Sequence, residues 1–198
     1  SRSASGTASS AGGRGAEAAR EVYVEGLHTT VAAFADRPEP PDRLVYTSST
    51  GVYGDHGGGW VDETTPIEPA TEKTRVLAEA ERVARETAPD LGIEGSVVRF
   101  AGLYGPGRYR LARYVEGPVT EGYLNMIHRD DAAGAVRHLL TAESAPELVL
   151  AVDDRPVSKW AFADWLATEC GEALPPRRTV EERIDAGELS AAARRRLR

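Results

Sequence analysis

Two adjacent hydroxyls, Ser48 and Ser49, close an apolar run that begins at Leu44. Hydroxyls in such a place can hold a ligand hydroxyl, or they can satisfy the backbone of a turn. Two phenols, Tyr53 and Tyr104, follow apolar stretches, and either could give or take a proton if its hydroxyl reached a ligand. The plainer reading packs Tyr53 at the strand end and lets Tyr104 brace the Gly105-Pro106 turn. His28, His56, His128 and His138 are scattered, and neither a His-Glu-x-x-His pair nor a metal triad occurs. His128 and Asp131 stand at the spacing of an acid/base or metal pair, but Asp131 reads better as a helix cap and His128 as a packed residue. Asp55, Asp62 and Glu63 form an acidic loop able to hold sugar hydroxyls, and equally a solvated face. The single cysteine, Cys170, excludes an intrachain disulfide and reads as a small buried hydrophobe.

Those residues need elements to position them. Ala19, Val22, Tyr23, Leu27, Val31 and Phe34 recur at helical spacing, which predicts a helix from Ala16 that ends before Pro38. A strand is predicted over Arg43 to Ser48, entering a loop at 51 to 69 rich in Gly, Asp and Pro, and loops of that length usually carry function. A second helix runs from after Pro69 to about Thr87, with Val76, Leu77, Ala80, Val83 and Ala84 on its apolar face. Ile93 to Phe100 reads as a buried strand that enters a Gly-rich turn from Gly102 to Arg108. Beyond it come a strand at Tyr123 to His128, a helix at Asp131 to Thr141, a strand at Leu148 to Val152, and a helix to Cys170 capped by Ser158. Residues 1 to 15 read as a flexible tail, and the final arginines as a solvated helix end. Such alternation favours a parallel sheet covered on both faces, with ligands outside the carboxyl ends of its strands.

The text Ser48-Ser49-Thr50-Gly51-Val52-Tyr53-Gly54, followed by Asp62-Glu63 and Pro66, resembles the Ser-Ser-x-x-Val-Tyr-Gly signature of extended short-chain dehydrogenases/reductases, the sugar-nucleotide epimerases and dehydratases. Arg99 to Gly107 resembles that family's Arg-x-x-x-x-Tyr-Gly-Pro block, and Asn125 to Ala133 its Ile-His-x-x-Asp-x-Ala block. The resemblance spans residues 8 to 170. It implies an α/β fold, a Rossmann-like doubly wound parallel sheet without its first βαβ units, and a small C-terminal α/β substrate lobe. The expected division is a partial dinucleotide-binding domain at 16 to 122 and substrate-lobe elements with exposed helices at 123 to 198. The family's pyrophosphate turn, Gly-x-x-Gly-x-x-Gly, precedes the matched residues, so a chain opening at Ser1 without Met is expected to be incomplete at its N-terminus and its C-terminus. Gly12-Gly13-Arg14-Gly15 is no substitute, since no strand precedes it and no ribose-binding acid follows.

In the family a Tyr, one helical turn before a Lys, moves the hydroxyl proton while a Ser or Thr holds the same oxygen. Ser49 takes the serine's place. Counting back from Glu79 puts Arg75 at the lysine and Thr71 at the tyrosine, so the pair is replaced, and Thr71 reads as well as a first-turn cap. The resemblance thus implies a catalytic set of Ser49, Thr71, Arg75 and Tyr53. It implies cofactor contacts from Ser48, Arg75, Ala101, Gly102, Leu103 and Tyr104, substrate contacts from Asn125 and Arg108, and no metal. Tyr23 stands where the family often has a helix Asn.

The formal charge of −7 argues against a general nucleic-acid surface. No apolar run approaches the roughly 20 residues of a membrane helix, and nothing resembles a signal peptide, so a cytoplasmic protein is expected. The expected function is an NAD- or NADP-dependent oxidoreductase or epimerase acting on a nucleotide sugar or similar polyol. The rival is a non-catalytic dinucleotide-sensing or interaction protein of the same fold. A homodimer through the helices at 16 to 36 and 70 to 87 is implied by the resemblance alone. Residues 1 to 198 by themselves are expected to bind NADH weakly or not at all.

Overall fold

A computed structural model describes residues 16–109 and 111–188, so the expected tail and the final arginines lie outside the described residues. The first helix, α1, follows the apolar spacing but changes pitch: Ala16–Arg20 is α-helical, Glu21–Glu25 a π-helical turn, and Gly26–Ala35 α-helical again. Strand β1 is Arg43–Ser49. Helix α2 runs Glu72–Arg82, through a second π turn at Val83–Thr87, to Ala88–Asp90. Strand β2 is Glu94–Phe100. The Gly-rich turn expected after it is partly strand, because Gly102–Tyr104 (β3) pairs in parallel with Met126–His128.

The rest is built of short pieces: β4 at Val119–Thr120, β5 at Tyr123–Leu124, β6 at Met126–His128, helix α3 at Arg129–Thr141 and β7 at Leu148–Ala151. After them come β8 at Val157–Ser158, helix α4 at Lys159–Cys170, β9 at Arg177–Arg178 and helix α5 at Val180–Asp185. Ser158 caps α4 by accepting from the Ala161 N–H at 3.5 Å, as its residue type favours. Cys170 is exposed, contrary to the expected burial, because it falls in the last turn of α4.

Strands β1, β2 and β7 form a parallel sheet in that order. Strand alternation sends Val45, Val98 and Phe100 to one face, where they join Ala132 and Leu139 of α3. Leu44 and Tyr46 face the other way, into clusters with Val31 and Val24 of α1 and Val76, Ala80 and Val83 of α2. Both faces are therefore covered by helices, as parallel sheets require. Gly95 permits the closest approach, because a Cβ there would fall well inside contact with the Ala84 carbonyl of the second π turn.

The expected boundary at residue 122 does not divide the packing. Strand β7 belongs to the main sheet and α3 covers it, whereas Tyr114, Val119, Leu124, Trp160, Phe162 and Leu166 make a separate cluster. The Trp160 indole N–H donates to the Val119 carbonyl at 2.9 Å and ties that second cluster together.

Candidate functional site

Strand β1 ends in Ser49, which turns the chain into the 3₁₀ turn Thr50–Tyr53. The Ser49 hydroxyl oxygen accepts from the Gly51 N–H at 3.2 Å, so one acceptor position is taken by the turn and the hydroxyl proton is left for a ligand. A Cβ on Gly51 would touch that oxygen and the Thr74 methyl, which shows how closely the start of α2 is laid against the serine turn.

Thr71 is the N-cap of α2. Its hydroxyl accepts from the Thr74 N–H at 3.2 Å, while the Thr74 hydroxyl reaches back toward the Thr71 N–H at 3.0 Å, a reciprocal capping box. This is the cap reading, and it leaves Thr71 little freedom for proton transfer. Arg75, one turn on, is exposed and only loosely bridged to Glu72 at 3.4 Å, so its guanidinium is available to a ligand.

Two expectations are corrected beneath this edge. Ser48 is buried, and its hydroxyl donates to Glu81 Oε1 at 2.6 Å, so it faces the interior and cannot contact a cofactor. Tyr53 is also buried, and its hydroxyl donates to the Asp62 carbonyl at 2.8 Å, which excludes it as a relocated acid. Burial pushes the Tyr53 phenol up from its ordinary range, against the pull of the neighbouring Arg99 guanidinium.

Reasoning from sequence missed Glu81, and it named Arg99 only as the first residue of a family block, without a role. Arg99 donates through Nε to Glu81 Oε1 at 3.0 Å and through Nη2 to Oε2 at 2.7 Å, with both side chains 4% exposed. Its guanidinium carbon lies 4.6 Å from the centre of the Tyr53 ring, a cation–π contact worth up to about 2 kcal/mol when desolvated. A signal existed for each. Arg99 interrupts the apolar run Val97, Val98 and Phe100, and Glu81 lies one turn after Leu77 on the apolar face of α2; a buried charge must be paired.

The loop that follows is pinned from several sides. Asp62 accepts from the Thr64 N–H at 2.9 Å and from the hydroxyls of Thr64 and Thr65 at 2.7 and 3.0 Å, which holds its carboxyl below the usual range. Glu63 Oε1 accepts from the Leu150 N–H of β7 at 2.8 Å. Gly54 sits at φ 79°, and a Cβ there would meet the Glu68 carbonyl oxygen at 2.5 Å, so glycine is required. An open polar hollow of about 710 Å³ lies beside the loop, lined by Asp55, His56 and Glu68.

The other expected residues gather elsewhere, around a cavity of about 420 Å³ between the β3–β6 pair and the second cluster. Gly102, Leu103, Tyr104, Arg108 and Asn125 line it, with Asp153, Arg155 and Phe162. The structure thus brings the two substrate-contact expectations together with three of the cofactor expectations. Ala101 is buried, and the N–H groups of Ala101 and Gly102 are taken by the carbonyls of Ala151 at 3.1 Å and Asn125 at 2.9 Å. Burial and then the nearby Asp153 carboxylate push the Tyr104 phenol up from its ordinary range. His128, not Asp131, caps α3: its Nδ1 accepts from the Asp130 N–H at 3.3 Å, leaving Asp130 and Asp131 in the first turn, where the helix dipole favours them. Among the described residues no group of three or more His, Cys, Asp or Glu side chains is arranged to hold a metal.

A parallel sheet covered on both faces by helices, with a hydroxyl at the carboxyl end of β1, defines a Rossmann-like α/β class. The chain belongs to the NAD dependent epimerase/dehydratase family, whose pattern it matches over residues 8–149. It is 42% identical over 125 residues to Protein YeeZ of Escherichia coli K12, covering 62% of this chain and 43% of that protein. The chain therefore spans less than half the length of this curated relative. A functionally unknown conserved protein from Silicibacter pomeroyi DSS is 31% identical with a TM-score of 0.69, over 86% of this chain and 59% of that one. The NAD complex of UDP-glucuronic acid 4-epimerase from Bacillus cereus shares the fold at 14% identity and a TM-score of 0.71, over 84% of this chain and 59% of the enzyme.

Proposed function

We propose that the full-length protein is an NAD(P)-dependent oxidoreductase or epimerase acting on a nucleotide sugar or similar polyol, with Ser49 holding the reacting hydroxyl. The observation that carries this reading is Ser49 itself, at the carboxyl end of strand β1, anchored through Gly51 and with its own proton unengaged among the described residues. Family membership supports the cofactor class.

The described residues fit only one end of such a cofactor. Ser49 and Arg75 offer a hydroxyl and a guanidinium at the sheet edge, whereas no described strand leads through a glycine turn into a helix N-terminus that could seat a pyrophosphate. A bound nicotinamide supplies hydride chemistry at a carbon bearing a hydroxyl. This chain's part is to hold that hydroxyl through Ser49, to place Arg75 against a ribose or phosphate oxygen, and to receive the rest of the substrate in the cavity of Asn125 and Arg108. Thr71 serves by capping the helix that carries Arg75.

The test is turnover by full-length protein over a panel of nucleotide sugars, with Ser49→Ala as the reference variant. Loss of one hydrogen bond to the reacting oxygen, about 1 to 1.5 kcal/mol, lowers kcat about tenfold. Turnover indifferent to Ser49→Ala would remove the serine from the reaction.

A second reading, a non-catalytic dinucleotide sensor of this fold, draws on the engaged hydroxyls of Thr71 and Tyr53. Full-length protein that binds NADH or NADPH yet shows neither turnover nor isotope exchange over the same panel would establish it over the enzyme reading. Residues 1 to 198 alone are expected to bind NADH weakly or not at all, and micromolar binding by fluorescence would overturn that expectation.

A further inference from the structure

Strand β1 and strand β2 are in register at Ser48 and Arg99, so these side chains lie beside each other on the face that α2 covers. Glu81 of α2 meets both. Its Oε1 receives the Ser48 hydroxyl at 2.6 Å and Arg99 Nε at 3.0 Å, while Oε2 receives Arg99 Nη2 at 2.7 Å. The guanidinium carbon also lies 4.6 Å from the centre of the Tyr53 ring, and the Tyr53 hydroxyl reaches the Asp62 carbonyl in the loop. One continuous set of contacts thus runs from the strand through the helix to the loop, and every member up to Tyr53 is buried.

Replacing such a pair by apolar groups of similar size is often neutral for stability, so its presence points to fixing geometry and not to holding the fold together. What it fixes is specific. The residues it grips, Ser48 and Tyr53, flank the turn that aims Ser49, and Asp62 is the hub of the loop beyond.

We propose that Arg99 is a positioning residue: forked onto Glu81 and laid over the Tyr53 ring, it sets the Ser49 to Tyr53 turn and the 54 to 69 loop at the carboxyl edge of the sheet. Arg99 touches no substrate in this scheme, and its bearing on a reaction rests on the reading of Ser49 as the hydroxyl-holding group.

The test compares the Glu81→Leu/Arg99→Met double variant with Arg99→Lys and the unaltered chain. Hydrogen exchange is followed by mass spectrometry over peptides covering 50 to 69 and, as the internal reference, 94 to 100. The double variant is expected to keep its thermal midpoint within a few degrees while the 50 to 69 amides exchange at least about tenfold faster and the β2 amides do not. Arg99→Lys keeps a charge for Glu81 but not the planar fork over Tyr53, and it is expected to loosen the same peptides. Should the double variant fail to fold, Arg99→Lys decides alone. Unchanged exchange over 50 to 69 in a folded variant overturns the proposal, as does a uniform rise across both regions.

In full-length protein the double variant is expected to lower kcat about as far as Ser49→Ala does, with KM changed less. If the unaltered full-length protein turns over no substrate, the enzyme reading falls and the exchange comparison still judges Arg99. If turnover is present and untouched by a variant whose loop has loosened, positioning of Ser49 is refuted while the enzyme reading stands.

Discussion

Ser48 and Ser49 are the same residue, adjacent in one strand, and they live in different physical regimes. Below the sheet edge Ser48 is buried and its hydroxyl is bound to a carboxylate that is itself forked onto a guanidinium. Above it Ser49 is half-buried, and among the described residues its hydroxyl is bonded only to the turn it starts. Strand alternation makes the separation, and the dielectric contrast makes it matter, since an unpaired polar group costs more in the interior than at the edge, where it can keep a free valence. The lower region is built for fixed geometry. The upper region is where a ligand can compete.

The hardest way to break the lower region is Glu81→Ala. It leaves the Arg99 guanidinium without its partner and Ser48 without its acceptor in a site closed to water. Removal of one partner of a buried pair costs about 3–5 kcal/mol, to be read as a lower urea midpoint at unchanged slope. A loss below about 1 kcal/mol would mean that water reaches the pair and that the contrast between the regions is false.

Gly95→Ala attacks the same face through packing alone. The new methyl would drive into the Ala84 carbonyl of the second π turn, and overpacking of this kind costs about 1–3 kcal/mol. Gly134→Ala is the control, because a Cβ at that position in α3 meets nothing within 4 Å and is expected to stabilise by about 0.5–1 kcal/mol. Equal effects at the two glycines would refute the close approach.

Thr71→Ala probes the upper region and is expected to cost about 1 kcal/mol, the value of an N-cap, with Thr71→Ser recovering most of it. In full-length protein neither variant should lower turnover beyond what its stability explains. A fall of about a hundredfold in kcat with normal stability would restore Thr71 as a proton donor.

How far all this could be read from sequence follows the same division. The strand to Ser49, the apolar face of α2 and the Ser158 cap were legible, because periodicity and cap chemistry are local properties. The two π turns were not, since nothing local distinguishes Glu21–Glu25 or Val83–Thr87 from ordinary helix. At α3 the rule favoured an acidic cap at Asp131, yet the imidazole Nδ1 of His128 accepts equally well one turn earlier. The family signature drew attention to Ser49 and Tyr53 but was silent on Glu81, whose role depends on register between elements far apart in the chain. Arg99 between Val98 and Phe100 was the available warning.

The smallest expected effect sharpens the comparison from within the lower region. Tyr46 is also on the buried face of β1, but its hydroxyl has no hydrogen-bond partner among the described residues, and it contributes packing beside Val76 and Ala80 without joining the set that Glu81 holds. Burial, and next the Glu81 charge, raise its phenol above the ordinary tyrosine range. A raised acid binds its proton more tightly in the folded state. Stability is therefore complete below the unfolded value near about 10 and is lost as pH rises beyond it toward the folded value. Tyr46→Phe is expected to be neutral at pH 7, or to stabilise by up to about 1 kcal/mol, because it removes an unsatisfied polar group. It should also flatten the alkaline decline measured by denaturant titration between about pH 10 and 12. Destabilisation by more than about 1 kcal/mol at pH 7 would show that the hydroxyl has a partner such as a buried water, and that Tyr46 belongs with Ser48 in the fixed region after all.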